Sequence, residues 1–129
     1  MYDMEIATNK RCQMIDITKR LSTILEESKV EEGVMTVFIP HTTAGVTINE
    51  NGDPDVRKDI LHQLEKISPQ SEEFNHFEGN SDAHVKSSLV GCSAQVIIKD
   101  GSMCLGTWQS VYFCEFDGPR HRKIWVYIK

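Results

Sequence analysis

The chain has 129 residues, of which 40% are hydrophobic and 26% are charged, a composition typical of one globular domain and unlike a disordered or collagen-like protein. Its 14 basic and 19 acidic residues give a formal charge of −5, which disfavours nucleic acid and anionic membrane surfaces as partners. No stretch approaches the roughly 20 apolar residues of a membrane-spanning helix, and Met1–Ile6 does not look like a signal peptide, so we expect a cytoplasmic protein.

The first third of the chain predicts two strands, a helix and a further strand. The two short strands lie within Met4–Ile17, around a turn at Thr8–Lys10. Apolar residues at helical spacing then predict a helix over Ile17–Ser28. Val34–Ile39 is rich in β-forming residues and predicts a buried strand that ends at Pro40.

A second helix, which follows another strand, has clear start signals. Asp53 is suited to cap it, and Pro54 stands at the first helical position. Its apolar stripe consists of Val56, Ile60, Leu61, Leu64 and Ile67.

Residues 70–88 are polar and predict a long loop, which in a compact domain is typically functional or disordered. The last third predicts four strands: Ala94–Ile98, Met103–Gly106, Ser110–Phe116 and Ile124–Ile128.

Helices therefore come early and strands cluster late. This order predicts a single α+β domain over 1–129, with a mostly antiparallel sheet and two main helices packed on it. The four cysteines contain no C-x-x-C pair, and we expect them to be small buried apolar residues. They are Cys12, Cys92, Cys104 and Cys114.

His41 directly follows the predicted buried strand and precedes Thr42 and Thr43. Two hydroxyls followed by small residues suit a turn whose backbone N–H groups approach an anion. We therefore expect ligand contacts here, the alternative being a threonine-rich turn. Asn49 follows along the same segment and is a second candidate for ligand contact, if it faces the same pocket.

The polar loop holds two histidines and two acids within nine residues, which are His76, Glu78, Asp82 and His84. The histidines are eight residues apart, so a metal site would need the loop to fold back or a third ligand such as His41. Asp82 suits a carboxylate ligand or a partner that fixes a histidine tautomer. These residues leave open a metal site, acid–base or anion contacts without metal, and a hydrogen-bonded structural loop. Lys86, just beyond, suits a phosphate contact.

Two further candidates lie among the late strands. Trp108 and Gln109 suit a stacking wall and an amide contact for a heteroaromatic ligand, the alternative being a core tryptophan beside a turn. Glu115 is a lone acid in an apolar strand and needs a partner, for which Arg120 is the candidate; Arg120 also suits a bidentate phosphate contact.

Three runs of sequence carry a resemblance to a known family: residues 41–56, residues 80–88, and residues 105–109 together with Cys114–Phe116 and Arg120. In this order and spacing the chain resembles the YjbQ-like family, whose members are also labelled secondary thiamine-phosphate synthase enzymes. The resemblance covers nearly the whole chain.

The resemblance implies an α+β sandwich that assembles as a homotrimer with polar pockets near the subunit boundaries. It implies a polar centre of His41, His76, Asp82 and His84 that holds a divalent metal, zinc or magnesium. The implied activity joins hydroxymethylpyrimidine diphosphate to thiazole phosphate, so the expected partner is a small phosphorylated or anionic ligand.

Combining both lines of reasoning, we expect His76, Asp82 and His84 to be catalytic and His41, His76 and His84 to bind the metal. The expected substrate-binding residues are Thr42, Thr43, Asn49, Lys86, Trp108, Gln109, Glu115 and Arg120. Two alternatives stay open: a metal-dependent hydrolase of small substrates, and a non-catalytic trimeric module that binds a small anionic metabolite.

Overall fold

The computed structural model describes residues 1–129, which form eight strands and three helices. In chain order these are β1 (Tyr2–Ala7), β2 (Gln13–Asp16), α1 (Thr18–Ser28), β3 (Gly33–Phe38), β4 (Ala44–Glu50), α2 (Pro54–Ile67), α3 (Ser81–Val90), β5 (Ser93–Lys99), β6 (Ser102–Met103), β7 (Gln109–Glu115) and β8 (His121–Ile128).

The strands form two sheets in which every pairing is antiparallel. The larger sheet has the order β1-β8-β3-β5-β6 and the smaller one the order β2-β7-β4. The α+β class and the antiparallel pairing are thus confirmed, but the strands divide between two sheets, and β1 and β2 belong to different ones.

The main core lies between the two sheets. In β3 of the larger sheet, Met35 and Val37 are fully buried, whereas Val34 and Phe38 face outward, as the two-residue period of a strand requires. Val46 and Phe113 of the smaller sheet belong to the same apolar cluster. Helix α1 adds Leu21, Ile24 and Leu25 to this cluster.

Helix α2 begins as predicted. The Asp53 side chain accepts a hydrogen bond from the Asp55 N–H at 2.9 Å, and Pro54 occupies the first turn. Of the predicted apolar stripe, Ile60, Leu61 and Leu64 pack on a smaller cluster that consists mainly of residues from the outer face of the small sheet, whereas Ile67 is 57% exposed and its place in the stripe is wrong.

The prediction of a loop over 70–88 is wrong from residue 81 onward, where α3 begins. The helix escapes detection because three of its four buried residues are polar, so no apolar stripe marks its period. These four residues are Asp82, Ala83, Lys86 and Ser87.

The expectation of buried cysteines holds for Cys114 but is wrong for Cys92 and Cys104, which are exposed in connections between elements. Burial raises the pKa of the Cys114 thiol to about 12. No helix is both long enough and apolar enough to cross a membrane.

Candidate functional site

A cavity of about 650 Å³ opens at the end of the sandwich where β3 ends and β4 and α3 begin. Three stretches of chain supply its walls, namely residues 38–43, 76–84 and 120–122, and Cys92 completes them. Its volume lies in the ordinary range for small-molecule sites. The lining is mostly polar, with three histidines, two arginines and a single carboxylate, Glu78.

The three histidines that lie far apart in the sequence, His41, His76 and His84, line this one cavity. The rings of His76 and His84 meet edge to face, with centroids 5.2 Å apart. Helix α3 makes this possible, because it carries His84 back toward the segment that holds His76. Thr42, Thr43 and Arg120, predicted to contact the substrate, line the same cavity.

A hydrogen bond from the backbone determines the tautomer of His41. Its Nε2 accepts the N–H of Lys123 at 2.9 Å, so in the neutral ring the proton is on Nδ1. Burial lowers the pKa of His41, and the nearby charge of Arg122 lowers it further, so the ring is neutral at pH 7. His41 therefore offers the site an N–H donor, with no lone pair free on either nitrogen.

Beneath His41 lies a buried ion pair between Glu115 and Arg122. Arg122 Nε donates to Glu115 Oε1 at 2.9 Å, and Arg122 Nη2 donates to Thr43 Oγ1 at 2.8 Å. Thr8 also donates to Glu115 Oε1, at 2.7 Å. Burial raises the pKa of Glu115, but these hydrogen bonds outweigh it and bring the pKa below its ordinary value.

The predicted partnership of Glu115 with Arg120 is therefore wrong, because Arg122 takes that place. Glu115 is fully buried and does not line the cavity. It binds Arg122, which in turn donates to Thr43. Arg120 instead pairs with Asp117, whose Oδ2 lies 2.9 Å from its Nη2.

Asp82 and Lys86 do not line the cavity. Both are fully buried, and their charges lie 3.7 Å apart. Arg11 donates to both oxygens of Asp82, at 2.8 and 3.2 Å, and Lys86 also binds Glu65. This arrangement does not favour a catalytic role for Asp82 or a phosphate contact for Lys86, since both side chains are engaged within the protein.

Asn49, Trp108 and Gln109 lie at the opposite end of the small sheet. Asn49 pairs in register with Ser110, five residues along β4 from the cavity end, a distance of about 17 Å at ~3.4 Å per residue. Trp108 packs against the backbone of Gly52, and Gln109 accepts the Gly106 N–H at 2.8 Å. None of the three residues lines the cavity, so the structure of this chain does not bring them to the site.

The residues do not fit a three-ligand metal centre in this arrangement. No group of three or more histidine, cysteine, aspartate or glutamate side chains is close enough together to hold a metal ion. The Nε2 lone pair of His41 is already used by Lys123. The donor groups that do converge suit an anion better than a cation.

Sequence reasoning singled out Glu78 but missed four other cavity residues: Phe38, Asn80, Cys92 and Arg122. For Arg122 a signal existed. In β8 the buried residues alternate as Arg122, Ile124 and Val126, so extending the predicted strand by two residues at its start would have turned Arg122 inward. Nothing comparable marks Asn80 or Cys92.

Comparison with known proteins assigns the chain to a family. The model of the family described as "UPF0047 protein YjbQ-like" matches residues 2–129. A UPF0047 protein of Methanocaldococcus jannaschii is 53% identical over 128 residues, covering 99% of this chain and 93% of that protein. UPF0047 protein YugU of Bacillus subtilis is 50% identical over 124 residues, covering 95% and 94% of the two chains.

Solved structures agree with this assignment. An uncharacterized conserved protein of the YjbQ/UPF0047 family from Clostridium acetobutylicum superposes with a TM-score of 0.98 at 51% identity, covering 100% of both chains. A conserved hypothetical protein of Thermus thermophilus gives a TM-score of 0.93 at 36% identity, again covering 100% of both chains. The chain therefore belongs to the YjbQ-like UPF0047 family.

Proposed function

We propose that the cavity binds small phosphorylated ligands and that the protein is a secondary thiamine-phosphate synthase, joining hydroxymethylpyrimidine diphosphate to thiazole phosphate. The observation that carries the ligand class is the convergence of His41, His76, His84 and Arg120 on one cavity that has a single carboxylate in its lining. The specific reaction rests on the family resemblance.

In the proposed reaction the protein forms no covalent bond with either substrate. The thiazole nitrogen attacks the methylene carbon of the pyrimidine substrate, a C–N bond forms, and the C–O bond to the diphosphate breaks. The nitrogen supplies the electron pair, and the departing pyrophosphate takes the electrons of the broken bond. The main task is to stabilise the negative charge that develops on the leaving group.

The cavity has groups suited to this task. Arg120 is half-exposed, and its charge can reach a diphosphate through charge-assisted hydrogen bonds. His41 offers Nδ1–H as a neutral donor, and Thr42 adds a hydroxyl. The proposed reaction requires no nucleophile from the protein, because the thiazole nitrogen attacks directly.

Phe38 provides an aromatic surface within the cavity, a role first expected of Trp108. Its ring stacks on that of Trp125, with centroids 5.9 Å apart and planes 17° apart. A ring held in this way is a rigid surface against which a pyrimidine can pack.

The proposal is tested by assaying the condensation of the two precursors with purified protein and with the variants Arg120→Ala and His84→Ala. We expect kcat/KM to fall by at least about tenfold in each, since a charge-assisted hydrogen bond contributes about 1.5–3 kcal/mol. His62→Ala is the matched control, because His62 is exposed on α2 and outside the cavity. No product from the wild type, or equal losses in His62→Ala, would refute the proposed reaction.

The same cavity also supports the non-catalytic alternative, an anion-binding module. Pyrophosphate binding without turnover of the two precursors would favour the module. The zinc-dependent hydrolase has no such support, since it needs a ligand set that the cavity does not assemble. The homotrimer and the cytoplasmic location stay predictions, and light scattering of the purified protein tests the first.

A further inference from the structure

Asp117 lies behind the cavity wall and does not line it, yet it binds cavity residues from two different walls. We infer that Asp117 is a positioning residue that aims Arg120 at the bound anion. This inference rests on the proposed function, because it assumes that the cavity binds a phosphorylated ligand.

Two contacts with Asp117 hold the guanidinium of Arg120. Nη2 donates to Asp117 Oδ2 at 2.9 Å, and Nε donates to the Asp117 backbone carbonyl at 2.7 Å. Both contacts use the same edge of the planar group. Nη1 makes no hydrogen bond within the protein, so this side of the guanidinium is free to bind an anion.

The same carboxylate oxygen also binds the opposite wall. Asn80 Nδ2 donates to Asp117 Oδ2 at 2.8 Å. Because an ionised carboxylate can only accept hydrogen bonds, the amide nitrogen of Asn80 and not its oxygen must face Asp117. Asn80 precedes α3, and its carbonyl accepts the His84 N–H at 3.3 Å. Asp117 thus joins the segment that carries Arg120 to the residue before α3.

The charge of Asp117 is maintained at neutral pH. Burial raises its pKa, but hydrogen bonds from Asn80 and Arg120 outweigh this, so its pKa lies below the ordinary value. Arg11 adds a second positive charge, with Nη2 at 3.8 Å from Asp117 Oδ1. An ionised carboxylate therefore faces Arg120 at neutral pH.

A double-mutant cycle tests this inference, with inorganic pyrophosphate as the probe in calorimetric titrations. We expect Arg120→Ala to weaken binding at least about tenfold and Asp117→Asn about three- to tenfold. In the Arg120→Ala background, Asp117→Asn should weaken binding less than about twofold, because the residue it positions is gone. A merely structural role would give the same loss in both backgrounds. Asp59→Asn is the control for net charge, since Asp59 is exposed on α2.

Arg120→Lys is a second variant that leaves Asp117 unchanged. Lysine keeps the charge but cannot make the two contacts along one edge, so we expect it to lose most of the pyrophosphate affinity. Binding of wild-type strength by Arg120→Lys, or additive losses in the cycle, would overturn the inference while leaving the proposed function intact. If the wild type bound no pyrophosphate, the proposed function would fail first and the inference with it.

Discussion

Helices α2 and α3 pack on the same face of the small sheet but are held there by different forces. α2 contributes an apolar stripe, none of whose residues is fully buried. α3 buries Asp82 and Lys86 completely and is held by Arg11 and Glu65. Apolar contacts tolerate small shifts, whereas a buried ion pair stabilises the fold only in good geometry. The helix that carries His84 into the cavity is the one held by charges.

The largest expected effect comes from breaking the charged cluster. Asp82→Ala removes the carboxylate that Arg11 and Lys86 share, and it leaves Lys86 buried with Glu65 alone. We expect the free energy of unfolding to fall by about 3 kcal/mol, the low end of the usual cost of breaking a buried ion pair, because Glu65 still faces Lys86. Urea denaturation followed by circular dichroism measures it.

The control is a double variant that combines Asp82→Leu and Lys86→Met, so that apolar side chains replace both buried charges. Arg11 and Glu65 reach solvent, so most of the lost stability should return. A double variant as unstable as Asp82→Ala would show that α3 is not held by its charges in the way described.

Acid should weaken two buried ion pairs, that of Asp82 on α3 and that of Glu115 beneath His41, before it affects the apolar contacts. The pKa values of Asp82 and Glu115 lie below their ordinary values of 3.8 and 4.5, because arginine contacts outweigh burial. Their stabilisation is therefore complete above those ordinary values and is lost as pH falls through the folded-state pKa. Unfolding free energy should fall with a slope of up to about 1.4 kcal/mol per pH unit for each group.

Urea denaturation at a series of pH values measures this slope, which Glu115→Gln should flatten and Asp59→Asn should not. A slope unchanged by Glu115→Gln would mean that this carboxylate does not contribute to the acid sensitivity.

A smaller effect is expected from the apolar contact of α2. Leu61 is partly buried against the small sheet, so Leu61→Ala should cost about 1–2 kcal/mol, less than the roughly 2–5 kcal/mol typical of a fully buried leucine. On α3, Leu89 is 57% exposed, and Leu89→Ala should cost less than about 0.5 kcal/mol. Thermal unfolding measures the loss of stability in the two variants. A larger loss in Leu89→Ala than in Leu61→Ala would contradict the contrast between the helices.

The smallest effect concerns how the two helices begin. Asp53→Ala removes the side-chain cap of α2 and should cost about 1 kcal/mol. Asn80, in the same position before α3, makes no capping hydrogen bond with its side chain: its Nδ2 donates to Asp117, and its Oδ1 is buried without a hydrogen-bond partner. If denaturation shows no loss in Asp53→Ala, the cap contributes nothing to α2.

The same contrast explains what can be predicted from the sequence. α2 and most strands were found because the residues that face the core are apolar and repeat with the period of the element. α3 was missed because its buried residues are acidic, basic or hydroxylic, and only the folded structure shows that Arg11 and Glu65 neutralise two of them. Patterns of hydrophobicity do not report burial that depends on distant charges.

The candidate site divides along similar lines. The histidines could be singled out because the predicted fold does not need them. The partner of Glu115 could not be read from sequence distance, since Arg120 and Arg122 both follow within seven residues. The β7–β8 connection decides between them by turning Arg122 inward and Arg120 toward Asp117.

The hydrogen bond from Lys123 to His41 has a consequence for any ligand that enters the cavity. A neutral imidazole held by a main-chain N–H acts as a fixed dipole with its positive end set by the fold. Unlike a histidine that titrates near neutrality, it acts at pH 7 as a neutral donor. A ligand at this place therefore meets an N–H group whose direction is set by the backbone of Lys123.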